Sequence, residues 1–258
     1  MWQEERHRRI RSMLATFGQL SIDQVTEDFG VSRETIRRDF MEMEEAGELR
    51  RVRGGVVPIA QDVEAPYLER AAVRRREKLA IAKAAATLIE AGQTLFLDAG
   101  STTTILAERL ALMNGLTVVT NSFDVAKSMT SAGDMTQRGN RVVVLGGDFA
   151  DNPPATYGAI TINEIARYRA DVALVSPVGL DAQSGATSYN PDEAEIARAM
   201  LAGAGRRVIL ADYSKLGVAS RVSFCRTGDA DCIIVDAKAR QTKAFAEIEA
   251  TGARTIIA

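Results

Sequence analysis

Three stretches of the chain combine residue types and spacings that can do chemistry. In GVSRETIRRDF (30–40), Ser32 has the position of an N-cap, and Arg33, Thr35, Arg37 and Arg38 follow within six residues. With Ile36, Phe40 and Met43 on one helical face, Glu34 and Arg38 point the opposite way, flanked by Thr35 and Arg37. Guanidinium forks match phosphates and guanine edges, and the Ser32 hydroxyl with free helix-start amides also suits phosphate. In LDAGSTTT (97–104), a β-prone run passes through Asp98 and Gly100 into Ser101, Thr102, Thr103 and Thr104. Gly100 lets the backbone approach a ligand closely, and the hydroxyls join helix-start amides as donors to an anion. In ADYSKLG (211–217), Ser214 can donate a hydrogen bond and Lys215 can set a cation beside the same anion. Each stretch also has a plainer reading: an i,i+4 Glu34–Arg38 surface pair, an ordinary Ser/Thr N-cap, a solvated lysine.

Charge distribution favours the first stretch as a nucleic-acid reader. The net charge of the 258 residues is −2, but arginines bunch at 6–11, 33–38 and 50–53, the last group including Arg51 and Arg53. Acids gather instead at 23–28 and 39–48, so a near-neutral region can present a basic face. No apolar run approaches the roughly 20 residues of a membrane span, and the charged start MWQEERHRRIRSML does not read as a secretory signal. A cytoplasmic protein without membrane partners is expected, with Cys225 and Cys232 as reduced thiols. His7 is the single histidine, which argues against a histidine-rich zinc site. Neither a Walker A pattern nor GxGxxG occurs, so no metal and no cofactor are expected.

These stretches need positioning elements. Before residue 48, three short helices are predicted. The first carries Ile10, Met13, Leu14 and Phe17 and ends at Gly18. The second opens on a capping box, Ser21 to Gln24, and stops at Gly30. The third starts at Ser32, with Val31 stapled to Ile36, and ends at Gly47. Gly54-Gly55 between β-prone residues predicts a turn or hairpin. Helix, tight turn and capped helix are the arrangement that lays a helix in the major groove. Residues 59–76, with Pro66 and Arg74-Arg75-Arg76, read as a linker between a domain at 1–58 and one at 77–258. In the larger domain, seven β-branched runs alternate with helical stretches: 94–100, 116–121, 141–147, 171–179, 207–212, 232–236 and 254–258. That alternation predicts an α/β domain with a largely parallel sheet covered on both faces, ligands binding at the carboxyl ends of its strands.

From Arg9 to Pro58 the chain resembles the DeoR family of bacterial transcriptional regulators. The resemblance rests on VSRETIRRDF, Glu44, Gly47, Leu49, Arg51 and Gly54-Gly55, with Phe40 where leucine is usual and Val52 where a polar residue is. It implies a winged helix-turn-helix with 49–57 as the wing. Residues 77–236 resemble the same family's sensor domain, through EKLAIAKAAATLI, DAGSTTT, VVTNS, LGG, RADVALV, the acidic helix around Glu193 and Glu195, and ADYSKLG. SPVG (176–179) departs from the family's usual small-residue run. That domain is similar in fold to ribose-5-phosphate isomerases, glucosamine-6-phosphate deaminases and coenzyme A transferases. The resemblance implies a phosphorylated sugar or polyol effector bound by the DAGSTTT loop, with Asn121, Ser122, Gly146, Gly147, Glu195 and Lys215 nearby. It also implies a repressor of a carbohydrate or polyol catabolic operon. One winged helix buries only about 600–1,000 Å² on DNA, so a homo-oligomer, dimer or tetramer, is expected on operator DNA. The alternative is an isomerase-like enzyme on a sugar phosphate, using Asp98, Asp212, Glu195 or Lys215 as acid and base. It leaves the DNA-binding stretch without a purpose.

Overall fold

The computed structural model describes residues 2–17, 20–46, 48–52, 54–58, 67–131, 133 and 135–258. The chain divides into two compact units, Met1–Val63 and Glu64–Ala258. The first runs α1 (Gln3–Phe17), β1 (Leu20–Ser21), α2 (Ile22–Phe29), α3 (Arg33–Glu45), β2 (Leu49–Val52) and β3 (Gly55–Pro58). Its caps are those legible in the sequence. Ser21 Oγ accepts the Gln24 N–H at 3.1 Å, Gly30 closes α2 in the left-handed region, and Ser32 Oγ accepts the Thr35 N–H. The helices bury Ile10, Leu14, Val25, Ile36, Phe40 and Met43 against Leu49 and Val56 of the hairpin, where Phe40 fills a fully buried position. Strands β2 and β3 pair antiparallel and β1 joins the β3 edge, completing a winged helix-turn-helix. Gly55 makes that wing possible. A Cβ there would lie 2.0 Å from the Leu20 carbonyl oxygen across the β1–β3 pair.

The second unit opens with α4 (Tyr67–Ala72), α5 (Arg75–Ala86), β4 (Thr94–Leu97), α6 (Ser101–Leu110), β5 (Thr117–Thr120), α7 (Phe123–Thr130), α8 (Met135–Arg138) and β6 (Arg141–Val144). It continues with β7 (Asp148–Asp151), β8 (Pro154–Tyr157), α9 (Gly158–Ile165), β9 (Ala170–Val175), β10 (Gly179–Asp181), β11 (Gly185–Ser188) and α10 (Pro191–Ala202). It closes with β12 (Ala204–Ala211), β13 (Val222–Cys225), β14 (Cys232–Val235), α11 (Lys243–Ala250) and β15 (Thr255–Ile257). Each of the seven β-branched runs supplies one strand of a single sheet, ordered β15-β14-β12-β9-β4-β5-β6, and every pairing in it is parallel. Alternate residues feed opposite faces. Leu95, Leu97, Val172 and Leu174 pack with α5, α6 and α7, while Phe96, Ala173 and Val175 pack with α9, α10 and α11. Each of these leucine, valine and phenylalanine side chains contributes roughly 1.5–3 kcal/mol by burial.

Two antiparallel additions went unread in the sequence: the β7–β8 hairpin and the β10-β11-β13 sheet. Within the stretch read as linker, 59–66 lies outside the described residues, whereas α4 and the start of α5 are helical. Gly18 and Gly47, expected to end two helices, also lie outside the described residues, and Pro66 with them. Cys225 and Cys232 are buried, which pushes both thiols up. No helix among the described residues is long and apolar enough to cross a membrane.

Candidate nucleic-acid interface and anion site

Helix α3 and the β2–β3 hairpin enclose an open groove of about 650 Å³, lined in part by Glu34, Arg37, Arg38, Met41, Arg51 and Val52. The arginines are held in exposed pairs. Arg37 lies 3.7 Å from Glu34, Arg38 3.4 Å from Glu42, and Arg51 Nε 2.7 Å from Glu44, while Arg33 meets Asp23. Arg38 therefore pairs toward Glu42 rather than back to Glu34. Exposed pairs contribute about 0–1 kcal/mol, so each guanidinium can exchange its carboxylate for a phosphate at little cost. Glu44 also accepts the Arg51 backbone N–H, which holds its carboxyl below the usual range and fixes the wing to α3. Ser32 and Thr35 are engaged with each other, their hydroxyl oxygens 2.8 Å apart at the opening of α3. Arg53 lies outside the described residues.

Sequence reasoning missed two features here. Met41 and Val52 are exposed apolar side chains in the groove, a surface that fits thymine methyl groups. Asp39 is buried and takes both its oxygens to Arg6, at 2.6 and 2.8 Å, with His7 Nε2 at 3.3 Å from one of them. A buried carboxylate needs such a partner, but nothing in the local pattern names one 33 residues away. Arg6 on both oxygens of Asp39 also occupies the carboxylate around which His7 and Glu42 gather.

In the second unit, the carboxyl ends of β4, β5, β9 and β12 bring the remaining residues to one side of the sheet. Asp98 follows β4, Asn121 follows β5, Ser176 follows β9 and Asp212 follows β12. Helix α6 opens at Gly100, which offers no side-chain cap, whereas α7 and α10 have Ser122 and Asn190 as caps. Ser101, Thr102 and Thr103 are buried in that first turn. Their hydroxyls are used differently. Thr103 Oγ1 donates to the Asp98 and Gly100 carbonyls, Thr104 Oγ1 donates to the Gly100 carbonyl and meets the Tyr67 hydroxyl, and Thr102 Oγ1 is buried without a hydrogen-bond partner. Lys215 reaches the same side, donating to Ser176 Oγ at 3.1 Å and to the Pro177 carbonyl. Pro177 thus stands at the edge of this site.

A small cavity of about 20 Å³ beside Asp98 is lined in part by Asn121, Tyr157, Ser188, Glu193 and Phe224. Asp98 Oδ2 accepts the Ser176 N–H at 2.8 Å, while Asp98 Oδ1 and Asn121 Oδ1 are buried acceptors without partners. Burial raises the Asp98 carboxyl to about 7, against the opposing pull of the Ser176 N–H, Thr103 and Lys215. Two unfilled acceptors in a polar recess are suited to hydroxyl donors.

Several expected positions fall elsewhere. Glu195 is exposed on the outer side of α10 and paired with Arg198, whereas Glu193, two residues earlier, lines the cavity and accepts from Ser188 Oγ at 2.8 Å. The 3.6-residue period turns one of two neighbouring acids inward. Ser122 Oγ caps α7 by accepting the Val125 N–H, and the Gly146 N–H donates to Glu164. Gly147 has φ +147°, and a Cβ there would lie 2.0 Å from Thr161 Oγ1, so both glycines shape the turn after β6. Lys78, unremarked in the sequence, is buried at the start of α5. Burial, with Lys215 close by, lowers its ammonium to about 8. A lysine inside an amphipathic helical pattern gives no sign of facing inward.

Comparison with known proteins bears on both sites. The family model described as DeoR-like helix-turn-helix domain matches residues 6–62, and that described as DeoR C terminal sensor domain matches residues 73–237. The chain is 31% identical to the transcriptional repressor AccR of Agrobacterium fabrum, over 92% of this chain and 91% of that one. It is 29% identical to the glycerol-3-phosphate regulon repressor of Escherichia coli, over 92% of each. With the repressor GlcR of Bacillus subtilis it shares 31% identity over 92% of this chain and 89% of that one. Among solved structures, ribose 5-phosphate isomerase A of Methanocaldococcus jannaschii matches 54% of this chain and 52% of its own at 19% identity, with a TM-score of 0.38.

Proposed function

The chain belongs to the DeoR family of transcriptional regulators, and from that premise we propose that it represses a carbohydrate or polyol operon and is released by a phosphorylated effector. Residues 1–58 form the DNA-binding domain, with Arg33, Arg37, Arg38, Arg51 and Arg53 toward phosphates and base edges and Ser32 and Thr35 shaping the helix start. Residues 77–258 form the sensor. The effector's phosphate sits at the opening of α6, at the amides of Ser101 and Thr102, with Lys215 as its cation. Its hydroxyls reach Asp98, Asn121 and Glu193. The observation that carries this reading is the α6 start itself. It is a helix opening without a side-chain cap and it holds a buried unpartnered hydroxyl, Thr102 Oγ1. The relatives' names support repression and, for one of them, a phosphorylated polyol.

Turnover of a sugar phosphate is disfavoured. Glu195 faces outward, and Asp212 Oδ1 is already engaged by Ser214 and Arg74, so the four acid–base candidates do not surround one reacting atom. The working protein is a cytoplasmic homo-oligomer that reads repeated half-sites.

The test measures operator affinity with and without a panel of sugar and polyol phosphates, glycerol 3-phosphate included, for the parent and Lys215→Ala. A binding member stabilises the protein by about 2.7 kcal/mol at a hundredfold excess over Kd, which a thermal shift reads. The parent is expected to leave its operator with one phosphorylated compound, and Lys215→Ala to stay bound. Thr103→Ala is the poorer probe, because the Thr103 hydroxyl is committed to backbone carbonyls. Release by the dephosphorylated compound alone refutes the anion site.

A further inference from the structure

Helix α4 is tied down at both ends against the proposed anion site. At its start, the Tyr67 hydroxyl lies 3.0 Å from Thr104 Oγ1 in the first turn of α6, and the Tyr67 N–H donates to Asn152 Oδ1 at 2.7 Å. Toward its end, the Arg70 carbonyl accepts a hydrogen bond from the buried ammonium of Lys78. Two residues past α4, Arg74 Nε lies 3.2 Å from Asp212 Oδ1. Arg74 has φ +53°, the one positive φ of a non-glycine residue among the described residues. A left-handed arginine is held there only by its surroundings, at a cost of about 1–3 kcal/mol. Its partner is itself incompletely satisfied, since Asp212 Oδ2 is buried without a hydrogen-bond partner. Two cations grouped with Asp212 and Lys215, namely Arg74 and Lys78, thus spend their charge on the segment that carries α4.

We infer that α4 is a latch that opens when an anion occupies the start of α6. The inference rests on the anion-site reading above. A phosphate carries up to about two negative charges and three acceptor oxygens, a stronger counterion for Lys78 and Arg74 than a carbonyl and a single carboxylate oxygen. Drawn to it, the two cations leave Arg70 and Asp212, and the C-terminal half of α4 loses its ties. Arg74 then relaxes from its left-handed conformation. The consequence reaches the DNA-binding unit through the covalent chain, because α4 is the first element after the division at Val63/Glu64. As a helix, its six residues span about 9 Å; extended, they span roughly 20 Å. Melting the latch adds that slack between a sensor and its DNA-binding unit, and a palindromic operator that needs fixed half-site spacing is then held less well.

Hydrogen exchange on the full chain, with and without saturating inorganic phosphate at matched ionic strength, reads both parts at once. Phosphate is expected to protect the opening amides of α6 and to speed exchange at Ala71–Val73, at the hydrogen-bonded end of α4, by about tenfold, near the change expected from losing one hydrogen bond to a charged group. Protection of α6 with unchanged or slower exchange in α4 overturns the latch and leaves the anion site standing. No protection at α6 overturns the site and the latch together. Arg74→Gly accepts the left-handed backbone without strain while removing the ion pair. It is expected to show faster α4 exchange than the parent without phosphate and a smaller further rise with it, because the Lys78 tie to Arg70 remains. An Arg74→Gly chain that exchanges like the parent and responds like it removes Arg74 from the mechanism.

Discussion

Replacing Asp98 with asparagine keeps the shape of the side chain and removes a charge that the fold holds at a cost. The carboxyl titrates near 7 in the folded chain because it is buried, and near 3.9 in an unfolded one. Between those two values the folded state carries a proton that the unfolded state has lost. Folding stability therefore falls as pH rises from about 4 to 7 and levels off above, where the ionised carboxylate must be buried. A gap of roughly three pH units amounts to about 4 kcal/mol at pH 8 and about 1–2 kcal/mol at pH 5. Asp98→Asn is thus expected to exceed the parent in stability, by a margin that widens by about 2–3 kcal/mol from pH 5 to pH 8. For a domain of this size that is about 5–10 °C in Tm. The assay is denaturant or thermal unfolding of both proteins across that range, and taking the difference between them cancels all other titrating groups. Circular dichroism is the probe, since the single tryptophan, Trp2, reports on the other unit. A margin that is the same at both pH values refutes the argument that Asp98 is a strained buried acid. The same substitution is expected to weaken recognition of a hydroxylated effector, because a charged acceptor is lost from the recess; gain in stability with loss of function marks a functional site.

The double variant Arg37→Ala/Arg38→Ala is expected to lose roughly 1–3 kcal/mol of operator affinity per base-contacting arginine and to flatten the salt dependence of binding, measured by fluorescence anisotropy at several salt concentrations. Parent-like affinity and slope would remove α3 from the groove. Gly55→Ala should unfold the wing, as its new methyl would lie 2.0 Å from the Leu20 carbonyl oxygen; a melting temperature unchanged from the parent contradicts the close β1–β3 approach. Sedimentation at micromolar concentration is expected to show a dimer or larger species, and a monomer both free and on DNA defeats the half-site argument.

Periodicity and capping made most of the architecture readable. Ser21, Gly30 and Ser32 announce helix ends through local hydrogen bonds, and local chemistry survives in the folded chain. The seven sheet strands are legible because a strand buried on both faces is apolar throughout. The short antiparallel strands were missed for the complementary reason: Asp148–Asp151 and Gly179–Asp181 are too brief and too polar to show alternation. In the site, residues on loops after strands converge as that topology requires. Direction around a helix was harder to read. Glu193 and Glu195 differ only by two positions, and the choice between them is made by how α10 packs on the sheet. Lys78 meets the Arg70 carbonyl and Arg74 meets Asp212, 138 positions further along the chain, through contacts that no local pattern encodes.

The strand order has a consequence for how the protein is made. Unit 1 completes its three-stranded sheet by Pro58 and has its own core, so its pairings are local and fast to form. Strand β4 has to wait for the central strand β9, whose residue Val172 pairs with Leu95, and the sheet then grows through β12 and β14 to β15 at Thr255–Ile257. At about 5–20 residues per second, roughly 10–40 s of synthesis separate the end of unit 1 from the last strand. During that interval a nascent chain carries a finished DNA reader attached to an unfinished sensor. Chains truncated by premature termination or proteolysis within the last strands remain in that condition permanently. Such fragments keep the winged helix-turn-helix but have lost the sheet from which the loops after β4, β5, β9 and β12 extend. On the proposed function, completeness of the C-terminus bears on regulation as well as on stability, because a damaged chain keeps its DNA reader without its sensor.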